Sequence, residues 1–418
     1  MHLKIRLILM SFLQFFIWGA WLITIGNYWF GTKQWSGSEF GAIFSTLGIA
    51  SIIMPAITGI IADRFLNAER LYGMLHIIGG IAVACLPQAE NPNAFYWTIL
   101  VAMLCYMPTI SLSNSVAYTI LKNNAYDVVK VFPPIRVWGT IGFIVAMWIT
   151  NLTGNKASGN MFYISAFASI LLGIYSFTLP TCPPQKLIDE NASLAKKLGL
   201  DAFKLFSKYK MALFFIFSMF LGAALQLTNM YGDTYLSEFE KNPLYTDSFV
   251  VKYSTIIMSI SQISETLFIL AIPFFLKRFG IKQVMLMSML AWVLRFGLFA
   301  LGDPADGLWM IIASCIVYGM AFDFFNISGS LFIETTTDSK IRSSAQGLFM
   351  MMSNGFGAVM GSLGSGYIIQ AFFTQEDNSL NWKGIWIAFA IYSAIISILF
   401  AVLFKHKHNP KEVEHINH

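Results

Sequence analysis

Residues 308–332 read LWMIIASCIVYGMAFDFFNISGSLF, a run of 25 residues with one charged side chain, Asp323, near its middle. A helix of about 20 apolar residues spans the hydrocarbon core of a bilayer. Runs of this length recur from one end of the chain to the other, and short polar links separate them. The sequence therefore predicts an all-α integral membrane protein.

The composition excludes several other classes of protein. Of the 418 residues, 56% are hydrophobic and 12% are charged, whereas about a quarter of the residues of a soluble protein are charged. The same apolar content excludes a disordered chain. The net charge of +5 comes from residues scattered over the loops and not from one basic face, so no nucleic-acid partner is expected.

The apolar runs predict twelve transmembrane helices. If the N-terminus is cytoplasmic, the outer links hold only five of the 27 Lys and Arg residues, and Arg295 lies within a span. Cytoplasmic loops carry the excess of Lys and Arg in membrane proteins, so both termini are expected in the cytoplasm. The helices are expected near residues 5–30, 40–62, 71–87, 95–120, 134–151, 161–180, 211–236, 251–276, 282–302, 307–332, 343–371 and 384–405.

Similar residues recur about half a chain apart. Tyr106 and Asn114 correspond to Tyr318 and Asn326 in this register. Internal repeats of this kind are typical of transporters in which two bundles place the substrate site between them, near the middle of the membrane. The sequence therefore predicts two bundles of six helices each.

The predicted domains are an N-terminal six-helix bundle over 1–180, a cytoplasmic linker over 181–210, and a C-terminal six-helix bundle with a short cytoplasmic tail over 211–418. The linker holds six lysines and apolar residues at roughly helical spacing, which predicts an interfacial amphipathic helix. A partner-binding segment is the alternative interpretation. The apolar residues of the linker are Leu198, Phe203 and Phe206.

Motifs of several enzyme classes are absent from the sequence. The chain has no GxxxxGK[ST] loop for nucleotide phosphates, no HExxH and no GxSxG, and its four cysteines show no CxxC spacing. We therefore expect a protein that is not an enzyme and that has no cofactor and no metal site. The histidines of the tail are interpreted as solvated rather than metal-binding, and they are His406, His408, His415 and His418.

Asp323 and Glu265 are interpreted as the two deepest acids, because each lies near the middle of a predicted span. An ionisable side chain inside a membrane usually lines a transport pathway or pairs with another charge. We therefore predict that the two acids handle a proton, without deciding which of them carries it. The alternative is an ion pair with Arg295, which would keep one acid permanently charged.

Amide side chains lie at helical spacing within the predicted spans. Gln226 and Asn229 are three residues apart, as are Gln262 and Glu265, so each pair lies on one helix face. Amides both donate and accept hydrogen bonds, which suits an uncharged polar solute such as a nucleoside or a sugar. Hydrogen bonds between neighbouring helices are the alternative role of these side chains.

The fifth predicted span carries Arg136, Thr140 and Phe143 along a single stripe. Arg136 is predicted to bind a ligand oxygen, or alternatively to be a charge at the cytoplasmic mouth of the helix. Phe143, Tyr318 and Phe322 are predicted to stack on a planar ring, with simple packing as the alternative.

The link after the second span reads Gly59-Ile-Ile-Ala-Asp63-Arg64. Gly59 is expected to permit the close approach of a neighbouring helix, and Asp63 is expected to pair with a cation or a helix end. We predict that Asp63 and Arg64 act in gating. Ordinary packing is the alternative interpretation.

These segments resemble one transporter family. The GxxxDR pattern of Gly59–Arg64 resembles the signature of the major facilitator superfamily. The segments Ser11–Gly19, Phe132–Phe143, Ser259–Phe268 and Ala321–Gly329 resemble, more specifically, the bacterial nucleoside:proton symporters. The resemblance covers nearly all of the chain.

The resemblance implies a major facilitator fold of twelve helices in the bacterial inner membrane. It implies import of purine and pyrimidine nucleosides with protons by alternating access, so the expected partners are a nucleoside, protons and the lipid bilayer, and the protein is expected to be a monomer. The binding positions of the family fall onto Arg136, Thr140, Phe143, Gln226, Asn229, Gln262, Glu265, Tyr318, Phe322 and Asp323.

Alternative functions remain open, some for a transporter of the same fold and one for a protein of another class. A nucleoside uniporter or a proton-coupled sugar transporter would share the fold. A membrane sensor that binds without transporting is less favoured, because the sequence shows no soluble output domain.

Overall fold

The computed structural model describes residues 3–184, 200–338, 341–376 and 379–407. Within these ranges the regular secondary structure is helical, apart from one isolated bridge between Thr374 and Leu380. The chain divides into two units, Met1–Leu198 and Gly199–His418, which are called the N-unit and the C-unit below. Of the helices in the described residues, nine are long and apolar enough to cross a membrane.

The described part of the N-unit contains six α-helices, whose long apolar sequences follow the predicted spans. Asn91 begins the fourth, because its side chain accepts a hydrogen bond of 2.9 Å from the backbone nitrogen of Ala94 and Pro92 occupies the first turn. The first helix packs on the fifth, the second on the fourth, and the third on the fourth and the sixth. The helices are α1 Leu3–Gly19, α2 Gly37–Arg64, α3 Ala68–Cys85, α4 Pro92–Asn123, α5 Val128–Leu152 and α6 Asn160–Ser176.

Two short helical segments complete the described part of the N-unit. Asn27–Thr32 is a turn of π-helix, and Leu86–Gln88 is a turn of 3₁₀-helix that extends the end of α3. The predicted first span, 5–30, is therefore one regular helix only as far as Gly19, and irregular turns follow it.

In its described residues, the regular secondary structure of the C-unit is also mainly helical. Its long helices are joined by the short helices Phe239–Lys241 and Phe249–Lys252, and α10 continues into α11 through the π-helical turn Met351–Gly357. A second π-helical turn, Ile369–Phe373, follows α11. The long helices are α7 Tyr209–Glu238, α8 Ser254–Leu301, α9 Leu308–Thr336, α10 Arg342–Met350, α11 Ala358–Ile368 and α12 Trp382–Leu403.

Helix α8 covers most of two predicted spans, 251–276 and 282–302. It is 48 residues long, but Gly280 interrupts it with φ 79° and ψ 169°. This φ is unfavourable for residues with a Cβ atom and costs glycine little. The two halves of α8 are therefore separate helical segments that meet at Gly280.

Part of the predicted linker helix and tail lies outside the described residues. Leu198 and the lysines at 186, 196 and 197 are among these residues, as are His408, His415 and His418. The described end of the linker, Leu200–Ser207, is a 3₁₀-helix in which the rings of Phe203 and Phe206 stack at 6.0 Å. The predicted amphipathic helix is thus a 3₁₀-helix over this stretch.

Glycines set the closest helix contacts within each unit. In the N-unit, a Cβ atom on Gly142 of α5 would collide with the backbone of Phe12, and one on Gly19 of α1 would collide with the backbone of Phe143. In the C-unit, a Cβ atom on Gly361 of α11 would lie 2.6 Å from the Cα atom of Ala223 on α7. Such contacts are typical of membrane helices, in which small residues let backbones approach.

The prediction that Gly59 permits the close approach of a neighbouring helix is wrong. A Cβ atom on this glycine would meet nothing within 4 Å, because this part of α2 faces open space. The glycines that permit close packing in the N-unit lie instead on α1 and α5.

We expect Gly142→Ala to lower the stability of the protein. The added methyl group overlaps the backbone of α1, which cannot move as a flexible side chain can, and overpacking of this kind costs about 1–3 kcal/mol. Thermal unfolding of the purified protein in detergent should therefore shift to lower temperature. The matched variant Gly364→Ala, whose methyl group would meet nothing within 4 Å, should unfold at or above the temperature of the unsubstituted protein. Equal stability of the two variants would contradict this packing.

Glu69 joins the start of α3 to the chain that follows α6. Its Oε2 atom accepts a hydrogen bond of 2.8 Å from the backbone nitrogen of Cys182, whose carbonyl accepts one of 3.0 Å from Ala68. Burial, and then the neighbouring Glu69 carboxylate, raise the pKa of the Cys182 thiol to about 12. This thiol therefore stays protonated at neutral pH.

We expect Cys182 to resist alkylation in the folded protein. A thiol with a pKa near 12 is about 0.01% thiolate at pH 8, and only the thiolate is the nucleophile. Maleimide labelling followed by peptide mass spectrometry should leave Cys182 unmodified at pH 8 and modify it after denaturation. The exposed Cys85 is the internal reference. Rapid labelling of Cys182 in the folded state would contradict its placement.

Candidate functional site

Two predicted binding residues of the C-unit present buried oxygens without partners. Gln226 on α7 is 7% exposed and Gln262 on α8 is 9% exposed. Within the described residues, the Oε1 atom of each side chain has no hydrogen-bond donor. Leaving a buried acceptor unpaired costs about 1–3 kcal/mol. Both oxygens are therefore suited to accept hydrogen bonds from a ligand.

Helix α9 contributes the predicted aromatic residues. The rings of Tyr318 and Phe322 are one helical turn apart and stack at 6.2 Å with an angle of 10° between their planes. The ring of Trp292 meets Tyr318 edge-on at 5.8 Å. A small pocket lies beside Phe322 and is also lined by Trp292 and Asn326. The C-unit therefore holds flat apolar ring surfaces next to polar atoms.

The two predicted acids lie near the same tyrosine. A Cβ atom on Gly319 of α9 would lie 2.6 Å from the backbone nitrogen of Glu265, so α8 and α9 cross closely at Glu265. Asp323 follows on α9 and is 6% exposed, whereas Glu265 is partly exposed. The hydroxyl of Tyr318 is close enough to both acids and to Arg295 to interact with their charges. The fold thus brings the predicted proton-handling residues into one region of the C-unit.

Arg295 is fully buried, and it does not pair with either acid. Its guanidinium lies 4.5 Å from the centre of the Phe299 ring and 5.1 Å from that of Tyr318, and its Nε atom lies 3.4 Å from the hydroxyl of Thr228. Among the described residues it makes no ion pair, and its Nη1 and Nη2 atoms have no hydrogen-bond partner. The structure therefore does not show the ion pair between Arg295 and one of the two acids that was the alternative to proton handling.

Asp233 is a buried acid that the sequence interpretation missed. It lies on α7 and is fully buried, more so than Asp323 or Glu265. It shares a helix face with Gln226 and Asn229, being seven and four residues further along. Asp233 was not identified from the sequence because it lies close to the end of a predicted span, where an acid is expected to be exposed. The helical spacing of Asp233 relative to Gln226 and Asn229 was the feature of the sequence that could have identified it.

The predicted residues of the N-unit lie along the contact between α5 and α1. The guanidinium of Arg136 lies 3.9 Å above the ring of Phe15, a cation–π arrangement. Phe143 is buried, and the ring of Trp18 meets it edge-on at 6.5 Å. Thr140 is partly exposed between them on α5. Arg136 and Phe143 are therefore both contacted by aromatic side chains of α1.

A hydrogen-bonded network holds α1 in place, and the sequence interpretation missed it. Gln14 donates to the hydroxyl of Thr109 at 2.9 Å, and its Oε1 atom accepts from the hydroxyl of Tyr72 at 2.6 Å. The same Oε1 atom lies 2.9 Å from His76 Nε2, which must carry a proton because an amide oxygen only accepts. Tyr106 donates to the carbonyl of Gln14 at 2.7 Å. The presence of Gln14 and His76 inside apolar runs was the available signal.

Asp63 and Arg64 lie at the end of α2 and are partly buried. In the described part of the chain Asp63 makes no ion pair, and the Nη2 atom of Arg64 is buried without a hydrogen-bond partner. Within the described residues no basic side chain lies within 4 Å of Asp63, so the structure does not show the expected pairing with a cation. The gating role of the two residues stays a prediction.

A family model described as nucleoside H⁺ symporter matches residues 1–409. The chain belongs to the nucleoside H⁺ symporter family. It is 49% identical over 409 residues to the nucleoside permease NupG of Escherichia coli, covering 98% of this chain and 97% of that protein. It is 50% identical over 416 residues to the xanthosine permease of Escherichia coli, covering 99% of both chains. These relatives are permeases and not enzymes.

Solved structures show the same relationship within the nucleoside H⁺ symporter family. A crystal structure of NupG matches with a TM-score of 0.91 and 50% identity, over 97% of this chain and 100% of that one. A crystal structure of its D323A mutant matches with a TM-score of 0.93. A D-xylose–proton symporter matches with a TM-score of 0.70 at 13% identity, which shows a shared fold only. The fold is that of the major facilitator transporters.

We expect Gln226→Leu and Gln262→Leu each to weaken substrate binding. Each substitution removes one buried acceptor while keeping a side chain of similar volume, and one hydrogen bond is worth about 0.5–1.5 kcal/mol. The KM for nucleoside uptake should therefore rise about 2- to 12-fold. Gln88→Leu is the matched control, because the Gln88 side chain lies at the end of α3 and donates a hydrogen bond to the carbonyl of Ala84. An unchanged KM in both test variants would remove these amides from the binding site.

Proposed function

We propose that this protein imports purine and pyrimidine nucleosides together with protons across the bacterial inner membrane. The observation that carries this proposal is that the C-unit holds unpaired amide oxygens, stacked rings and two acids, of which Asp323 is buried. The unpaired oxygens belong to Gln226 and Gln262, and the stacked rings to Tyr318 and Phe322. The family match and the two relatives named for nucleoside and xanthosine transport support the same substrate class.

The proposed substrate fits the chemistry of these side chains. A nucleoside offers ribose hydroxyls and base amino or imino groups that can donate to the oxygens of Gln226 and Gln262. Its planar base can stack on an aromatic ring such as Tyr318, Phe322 or Phe143. We further propose that Arg136, Thr140 and Asn229 take part in binding, and that Arg136 binds a ligand oxygen.

Proton coupling is assigned to Asp323 and Glu265. Both acids lie near the hydroxyl of Tyr318, and the unpaired Arg295 lies 5.1 Å from the centre of the Tyr318 ring. A negative charge on either acid interacts favourably with Arg295, and protonation removes that interaction, so the two protonation states can favour different conformations. A proton and a nucleoside that favour the same conformational change are coupled thermodynamically.

The architecture proposed for this function has twelve transmembrane helices in two six-helix bundles, over 1–180 and 211–418, with both termini in the cytoplasm. The break at Gly280 supports this number, because it divides the 48-residue α8 into two segments of spanning length. The distribution of Lys and Arg supports the orientation. We propose that the protein works as a monomer by alternating access, with Asp63 and Arg64 acting in gating.

Uptake of labelled uridine and adenosine into proteoliposomes tests the proposed function. An imposed gradient, acidic outside, should drive accumulation above the external concentration, and a protonophore should abolish it. Uptake that is insensitive to the gradient would indicate a uniporter. Competition by a sugar, together with no uptake of nucleosides, would indicate a sugar transporter, and binding without exchange would indicate a sensor.

We expect Asp323→Asn to abolish uphill accumulation while leaving exchange of nucleoside down its gradient. The amide keeps the size of the side chain but carries no titratable proton, so the coupling is lost. Counterflow measures exchange and gradient-driven uptake measures coupling in the same vesicles. Asp306→Asn is the control, since Asp306 lies between α8 and α9, outside the helices. Undiminished accumulation in the Asp323→Asn variant would assign the proton to another residue, with Glu265 the next to test.

A further inference from the structure

Trp18 on α1 lies next to the predicted binding residues of the N-unit. Its ring lies 5.6 Å from that of Tyr106 and 6.5 Å from that of Phe143, which it meets at 86°. Phe15, one helical turn earlier on the same face, carries the guanidinium of Arg136 above its ring. Phe15 and Trp18 of α1 therefore contact both ends of the stripe that Arg136 and Phe143 form on α5.

The indole nitrogen of Trp18 is a buried donor without an acceptor. Within the described residues, the Nε1 atom has no hydrogen-bond partner and is inaccessible to solvent. An unpaired donor costs about 1–3 kcal/mol in a buried site, and hydrocarbon offers no water to replace the missing partner. A buried indole N–H usually finds an acceptor, so this one calls for an explanation.

The polar groups around Trp18 are paired with one another and leave it no acceptor. The hydroxyl of Tyr106 donates to the carbonyl of Gln14, and the side chain of Gln14 bonds Tyr72 and His76. The unpaired N–H is therefore the property that distinguishes Trp18 from its neighbours.

We propose that the Nε1–H of Trp18 donates a hydrogen bond to the base of the bound nucleoside. The proposal rests on the proposed function, because that function supplies the ligand. The base is the expected acceptor rather than the ribose, since the rings of Tyr106 and Phe143 lie 5.6 Å and 6.5 Å from the ring of Trp18 and suit a planar heterocycle. Every purine and pyrimidine base carries ring nitrogens or carbonyl oxygens that accept such a bond.

Adenosine analogues that each lack one ring acceptor test the proposal. The inhibition constants of adenosine, 1-deazaadenosine, 3-deazaadenosine and 7-deazaadenosine are measured against labelled uridine uptake. The unsubstituted protein should bind one analogue about 2- to 12-fold more weakly than adenosine, which corresponds to one hydrogen bond. Trp18→Phe should bind adenosine more weakly by a similar factor and should no longer distinguish that analogue from adenosine.

A matched control separates the lost hydrogen bond from a general effect of losing an indole. Trp386 on α12 also has a buried Nε1 atom without a partner, but it packs among rings of the C-unit such as Phe296 and Phe299. Trp386→Phe should keep the analogue ratios of the unsubstituted protein. Trp18→Leu, which also lacks the N–H donor, serves as a second test variant if Trp18→Phe does not fold.

Three results would overturn the proposal. The first is an unsubstituted protein that binds adenosine and all three analogues equally. The second is a Trp18 variant that keeps all the analogue ratios of the unsubstituted protein. The third is a Trp18 variant that changes only the ratio of adenosine to 2′-deoxyadenosine, which would place the donor on the ribose. Failure of the proposed function would be recognised separately, since the unsubstituted protein would then take up neither uridine nor adenosine.

Discussion

The hydrocarbon core of a membrane offers no water to polar atoms, and this constraint governs the structure. A buried donor or acceptor must find a partner in the protein or carry a free-energy cost. Backbone groups satisfy the constraint by forming helices. Side chains satisfy it in networks, of which the group around Gln14, His76 and Tyr106 is the clearest example. The polar side chains that do not satisfy it are therefore informative about function.

Several of those exceptions lie on or next to residues that were predicted to bind substrate or handle protons. Unpaired oxygens occur on Gln226 and Gln262, and unpaired nitrogens occur on Trp18 and Arg295. Unpaired nitrogens of Trp382 and Trp386 lie instead within an aromatic cluster, where ring faces surround them. A binding site in a transporter has to keep such atoms available between substrate molecules, and we regard their cost as part of the function.

Close helix contacts explain how these side chains are held. Gly142 and Gly19 bring the backbones of α5 and α1 together in the N-unit, and Gly361 does the same for α11 and α7 in the C-unit. Helices that touch backbone to backbone fix the rotation of one helix against its neighbour. In the N-unit, this rotation and the network around Gln14 place the aromatic face of α1 against Arg136 and Phe143.

The sequence by itself determined the class of protein and the positions of most helices, because hydrophobicity and helical periodicity are local properties. It also supplied the candidate site residues, whose roles stay predictions. It did not show the break of regular helix after Gly19, the open space beside Gly59 or the burial of Asp233. It also did not show that Arg295 is unpaired or that Gln14 is paired while Gln226 is not. Only the tertiary structure decided these points. Hydrogen-bond pairing depends on differences of about an ångström in the distances between helices that are far apart in the chain.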